Sequence, residues 1–317
     1  MAKRNTQLAL STYNRTARAY TSLFLGRENV KFISLGLKEK AGQMIDQLAI
    51  KIYVGEKIKE SELDNYELLP KEVKALTASG KALQSSIPID VVAIGKGKFS
   101  LLGIKGSDSF HIDGVNIQGT CAIADSDGYV YTNAHVAAIH NGRPISPGSP
   151  VMAVFRSTKF SGDIIKISDL QPVGNRMDAA IMKLAGFEGG VDDWNISAVQ
   201  ARVISPVAPL VGSGVFEYFS GNDHIKLVTP ELAGHQIRFT DMNGNEYGFE
   251  GFYMLQVEEN SPQQPRPGHS GSMLLKHDES GWHPAGLVFG LAEFSQRILV
   301  CVYDWEDVIS WNNSKSV

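Results

Sequence analysis

A mainly β chain with a small α+β unit at its N-terminal end is what the sequence predicts, on three observations. After Gly119, short runs rich in Val, Ile, Phe and Tyr alternate with turns of Gly, Pro, Asp and Asn, the texture of antiparallel barrels and sandwiches. The first 95 residues read differently, with one helically spaced stretch followed by longer β-branched runs. At 317 residues, 43% hydrophobic and 20% charged with 31 Gly, the chain can bury a large core and divide into more than one folding unit.

Leu8, Tyr13, Ala17, Tyr20 and Phe24 recur at spacings of three to five with Arg15 and Arg18 between them, which predicts an amphipathic helix ending near Gly26. Lys31 to Leu37 and Leu48 to Val54 read as strands joined by a polar connection containing Gly42, a pattern that predicts a hairpin. Residues 55–76 are charged, with Pro70 as a boundary, and are expected to be mostly helix and loop. Ile87 to Gly95 then completes the unit as a further strand. These readings give an N-terminal helix over 1–21, a small α+β domain over 22–95, a linker over 96–113 and a β body over 114–317. Strands are expected in the body at 121–124, 130–132, 151–155, 164–167, 179–184, 214–219, 236–240, 250–257, 273–276, 285–289 and 298–302, and a helix from Asp304.

The formal charge is −4, with 30 Lys and Arg against 34 Asp and Glu, so no general attraction to nucleic acid is expected. Residues 1–60 hold eleven basic and five acidic side chains, net +6, which leaves −10 on the rest. Such asymmetry reads first as a solvated or internally compensated surface, and otherwise as steering of an acidic partner to the N-terminal part or attraction between the two parts of the chain; a regulatory protein is expected at the N-terminal domain. Two cysteines, Cys121 and Cys301, are too few for a disulfide scaffold and suit a reduced, cytoplasmic setting as core thiols. No apolar run suggests a signal peptide or a membrane span. His111, His140 and His277 lack ligand-like spacing, so neither a metal nor an organic cofactor is expected. Gly95-Lys96-Gly97-Lys98 lacks the ending and following helix of a phosphate loop and reads as linker.

Three segments carry chemistry. Val130 to Val136 is a strand running into His135; Asn175 to Leu184 puts Asp178 at the mouth of an apolar strand; Pro267 to Leu275 holds Ser270 between Gly268 and Gly271. Alone, each reads as an ordinary strand-end histidine, turn aspartate and turn serine. Together they match a base, a carboxylate that orients it and a hydroxyl that needs its proton removed before it attacks. A tight turn at Gly268 and Ser270 can also aim two backbone N–H groups at a developing oxyanion.

The order His135, Asp178, Ser270 resembles the chymotrypsin/trypsin-like serine proteases. Asn133-Ala134-His135, Asp178-Ala179-Ala180-Ile181 and Gly268-His269-Ser270-Gly271-Ser272 are similar to that family's three motifs. Over about 114–313 the resemblance implies two six-stranded antiparallel β-barrels, a triad between them and a C-terminal helix at 304–312. The whole chain resembles bacterial and phage-related members in which a small N-terminal domain precedes the barrels. The resemblance implies a serine endopeptidase acting on a protein or peptide substrate through an acyl-enzyme. The alternatives are a weak or inactive fold that binds peptides as a scaffold, and a self-processing protease. It places Gln264 at the base of the specificity pocket, and Phe289, Gly290 and Leu291 on the strand that pairs with substrate. Where many members carry an aspartate before the nucleophile, this chain has His269, expected to face solvent or pack in its loop.

Overall fold

In the computed structural model, 16 consecutive residues, α1 (Leu10–Leu25), form a helix with Thr16, Ala17, Thr21 and Phe24 buried, a single face at helical spacing. The structure describes residues 8–40, 43–101, 110–112, 118–120, 122–124, 129–137, 139–140, 143–155, 158–186, 215–220, 223–241, 243–278 and 281–314. The chain separates into two compact units.

The first unit comprises residues 1–97 with Glu231–His235 and Phe294–Gln296. Its strands β1 (Val30–Lys40) and β2 (Gln43–Val54) form the expected antiparallel pair, with Ile33 opposite Ile52 and Leu35 opposite Ile50. β3 (Glu72–Leu76) pairs antiparallel with β4 (Ala82–Ala93), which lies parallel to β2. Residues 55–76, expected to be mostly helix and loop, hold only a 3-10 turn at Glu60–Glu62 before β3. The reason is long-range: Val73 and Ala75 alternate with exposed Glu72 and Lys74, and pairing with β4 turns a short charged segment into an edge strand. α1 is tied to β3 by Arg15 Nε, which donates to Leu76 O at 3.1 Å, and by Thr16 Oγ1, which accepts from Leu76 N at 3.0 Å. Residues 232 and 233 pair with Leu35 and Ser34, so a later piece of chain extends this unit's sheet. Beneath that pairing, Lys51, Tyr53, Ser34 and Glu231 form a buried polar cluster.

The second unit holds the remaining residues. In chain order its elements are β5 (Gly97–Leu101), whose first residue belongs to the first unit, β6 (Phe110–Ile112), β7 (Gln118–Gly119), β8 (Ile123–Ala124), β9 (Tyr129–Thr132) and the single turn α2 (Ala134–Ala137). There follow the short pair β10 (Ile139–His140) and β11 (Arg143–Pro144), then β12 (Pro150–Phe155), β13 (Thr158–Ile167) and β14 (Ala180–Leu184). The remainder are β15 (Val215–Ser220), β16 (Asp223–Ala233), β17 (Ile237–Thr240), β18 (Glu246–Phe249), β19 (Tyr253–Val257), β20 (Met273–Asp278), β21 (Gly281–Phe294), β22 (Arg297–Asp304) and α3 (Trp305–Asn313).

β15, β16, β19, β22, β21 and β20 close on one another as a six-stranded antiparallel barrel. Beyond β21 the same sheet continues through β5, β17 and β18. A second sheet runs β7-β6-β12-β13-β14-β9-β8 and, among the described residues, ends on β7 and β8 without closing. One closed barrel with extra strands is what these pairings form; among the described residues they do not show a second closed six-stranded barrel. Val130, Val151, Ile164 and Met182 pack the core of the open sheet. Phe239, Phe249, Phe252, Phe289 and Tyr303 form an aromatic cluster in the unit that carries the barrel, with Phe289 and Tyr303 stacked at 4.7 Å. α3 starts where expected because Asp304 caps it, accepting from Glu306 N at 2.9 Å. Among the described residues no helix is long and apolar enough to cross a membrane.

Candidate active site

The site belongs entirely to the second unit. β9 pairs with β14 so that Thr132 lies opposite Ala180, and this register brings the residue two before β14, Asp178, beside the turn that follows β9. Asn133 secures the approach, its Nδ2 donating to Asp178 O at 2.7 Å. His135, in α2, meets the carboxylate twice. Its backbone N–H donates to Oδ1 at 3.0 Å and its ring Nδ1–H to Oδ2 at 2.6 Å. With both oxygens of Asp178 occupied, the ring is oriented and its Nε2 is left as an acceptor. Ser270 Oγ lies 2.8 Å from that Nε2. Asp178 and Ser270 are fully buried and His135 is 6% exposed. The structure thus brings His135, Asp178 and Ser270 into one hydrogen-bonded chain.

The turn carrying Ser270 has two glycines with positive φ, Gly268 at 100° and Gly271 at 91°. At Gly271 the need is absolute, since a Cβ there would sit 1.9 Å from Thr120 O. The carbonyls of the turn are held from one side: Thr120 Oγ1 donates to Gly268 O at 3.0 Å and Thr120 N to Ser270 O at 2.5 Å. Gly271 N donates to Val288 O and Ser272 N to His269 O. Among the described residues no hydrogen bond takes the N–H of Gly268 or of Ser270. Ser270 Oγ has a second acceptor, Phe289 O at 3.2 Å.

His269, expected at the surface or packed in its loop, is 3% exposed. Its Nε2 is 2.9 Å from Asp223 Oδ2 and its Nδ1 is 3.0 Å from Tyr218 OH. Arg266 Nε meets the same Asp223 oxygen at 2.6 Å. Burial lowers the His269 pKa, with the Asp223 carboxylate opposing, while burial and then Asp223 raise that of Tyr218.

The residues expected to govern specificity are less gathered. Gln264 is exposed, the Phe289 ring belongs to the aromatic cluster and Leu291 is buried. Gly290 faces Phe239, and its Cβ position is 3.3 Å from Ser100 O on β5. Cys301 is buried in β22 with its thiol pKa pushed well up by burial, whereas Cys121 lies outside the described residues. Among the described residues no group of three or more His, Cys, Asp or Glu is placed to hold a metal. Thr120, Tyr218 and Asp223 were not identified from sequence, because the turn residues they hold, Gly268 and His269, are 46 or more residues away.

No protein-family model and no curated protein matches the chain. Among solved structures it is similar to the one titled "Crystal structure of Rv3671c protease, inactive form", at 17% identity and a TM-score of 0.36, over 63% of this chain and 85% of that one. That likeness leaves the chemistry to the side chains themselves.

Proposed function

We propose that the chain is a serine-type endopeptidase of the chymotrypsin/trypsin-like kind, acting on protein or peptide substrates. The observation that carries this is the unbroken sequence of hydrogen bonds from Asp178 Oδ2 through His135 to Ser270 Oγ, at 2.6 and 2.8 Å. Ser270 Oγ attacks the carbonyl carbon as its proton passes to His135 Nε2, and Asp178 stabilises the imidazolium so formed. The proton then goes to the departing amine as the C–N bond breaks, leaving an acyl-serine that water hydrolyses by the same relay. The N–H groups of Gly268 and Ser270 are assigned to the oxyanion, a role worth about 3 kcal/mol per donor. The second closed barrel, a cytoplasmic location and a regulatory partner at the first unit belong to the same proposal.

A second reading has its own support. Ser270 is fully buried, its hydroxyl reaches Phe289 O, and β5 neighbours β21, with Ser100 O beside Gly290 where an added substrate strand is expected. In that reading the fold holds an extended peptide, here its own residues 98–101, and turns over weakly or not at all. Incubation of the full chain with a fluorophosphonate, followed by mass spectrometry, separates the two. Labelling at Ser270 that disappears in Ser270→Ala and falls sharply in Asp178→Asn supports the peptidase. An unlabelled Ser270 in a chain that binds peptides supports the holding fold.

A further inference from the structure

The turn that presents Ser270 is gripped by one β-hairpin. β15 and β16 pair with Ser220 opposite Asp223 and Tyr218 opposite Ile225. From this hairpin Tyr218 and Asp223 reach the two nitrogens of His269, and Ser220 Oγ lies 2.8 Å from Thr120 Oγ1, the hydroxyl that donates to Gly268 O. The residues on either side of His269 are the nucleophile itself and the glycine assigned to the oxyanion.

We propose that His269 is a positioning residue: as a neutral imidazole bridging Tyr218 and Asp223, it sets the turn of Gly268 and Ser270 against the β15–β16 hairpin. The two partners match this form. Nε2–H donates to the carboxylate, which can only accept, and Nδ1 then accepts from the Tyr218 hydroxyl. Both ring nitrogens are satisfied in a side chain with almost no access to water, so rotating or losing the ring strands the buried Tyr218 hydroxyl and takes one of two partners from the part-buried Asp223 carboxylate. A second proton on the ring would make Nδ1 a donor to the Tyr218 oxygen, and the buried tyrosine O–H would lose His269 as its acceptor. The charged and titratable groups around the ring are Asp223, the Arg266 guanidinium that shares Asp223 Oδ2, and Tyr218. Because Asp223 also binds Arg266, which lies three residues before His269 with a side chain 68% exposed, the hairpin holds the loop of the nucleophile at two points. A ring-edge contact with Tyr218, centroids 5.6 Å apart at 80°, fixes the imidazole plane as well.

The proposal rests on the peptidase reading for its kinetic test and on the bridge alone for its spectroscopic one. His269→Phe keeps most of the volume and loses both hydrogen bonds, whereas His269→Gln retains a donor for Asp223 and an acceptor for Tyr218. Pre-steady-state acylation by p-nitrophenyl acetate is measured for both variants and for the parent, with melting temperature alongside. The expectation is a fall of tenfold or more in the acylation rate constant for His269→Phe with the ester's dissociation constant unchanged, and recovery of most of that loss in His269→Gln. Equal rates for the two variants, or a parent rate in His269→Phe, overturn the proposal, since simple packing favours Phe. If the parent itself is not acylated, the peptidase reading fails, and the bridge is tested by ¹H–¹⁵N correlation of the histidine rings across pH. His269 is expected as the Nε2–H tautomer, staying neutral below the pH at which an exposed histidine protonates. Titration of His269 like an exposed histidine, or the opposite tautomer, overturns it.

Discussion

Replacing Lys51 by Met tests how the first unit tolerates a charge at its centre. The Lys51 side chain has no exposed surface and Glu231 only 5%, with Nζ 2.5 Å from Oε1. Ser34 Oγ donates to the other oxygen at 2.7 Å and the Tyr53 hydroxyl donates to it as well. At an effective dielectric of about 20 the attraction at this separation is roughly 7 kcal/mol, much of it offset by the desolvation of both ions. Met fills nearly the same space but leaves the carboxylate with two neutral donors and no countercharge. Removing one partner of such a pair costs about 3–5 kcal/mol, more than the pair itself contributes. Native-state hydrogen exchange of peptides from β1 and β2, read by mass spectrometry at neutral pH, should show protection lowered by roughly two to three and a half decades, at about 1.4 kcal/mol per decade. Adding Glu231→Gln should restore most of it, because an amide oxygen accepts from Ser34 and Tyr53 without needing a cation. Lys51→Met with protection unchanged within about threefold would mean that water reaches the carboxylate, and the reasoning from burial would fail.

His235, in the same unit, has its pKa lowered to about 4 by burial, with a hydrogen bond to the Ile33 backbone opposing, and its Nδ1 finds no partner among the described residues. The folded state therefore binds fewer protons than the unfolded one between about pH 4 and the ordinary value of 6.5; stability is full above 6.5 and is lost as pH falls toward 4, by up to about 3 kcal/mol. His235→Gln should flatten the exchange-detected stability of this unit over that range, and an unaltered slope would assign the loss to other groups. At Gly271, φ of 91° and a Cβ position 1.9 Å from Thr120 O make Gly271→Ala move the turn, so fluorophosphonate labelling of Ser270 should fall by about a hundredfold. Gly80→Ala is the control, with φ of 77° and nothing within 4 Å of the added carbon, and it should cost only about 1 kcal/mol in stability and leave labelling unchanged.

What the sequence determined by itself is what short-range pattern can carry. The helical spacing from Leu8 to Phe24, the alternation of the hairpin strands and the capping Asp304 all act within a few residues, and α1, the β1–β2 pair and α3 lie where they predict. The order of His135, Asp178 and Ser270 was legible for the same reason, because each sits at the end of a recognisable apolar run or between glycines. Tertiary structure alone decided the rest. β16 carries Asp223, His224, Lys226 and Glu231, and nothing in its own composition announces an eleven-residue strand; pairing with β1, β15 and β19 makes it one. Lys51 interrupts a β-branched run and would be read as facing water, yet it is buried because a carboxylate 180 residues later neutralises it. His269 is governed by partners 51 and 46 residues before it. Hydrophobic periodicity records which face of an element is buried, but the identity of the group waiting on that face depends on register and closure, which no local pattern encodes.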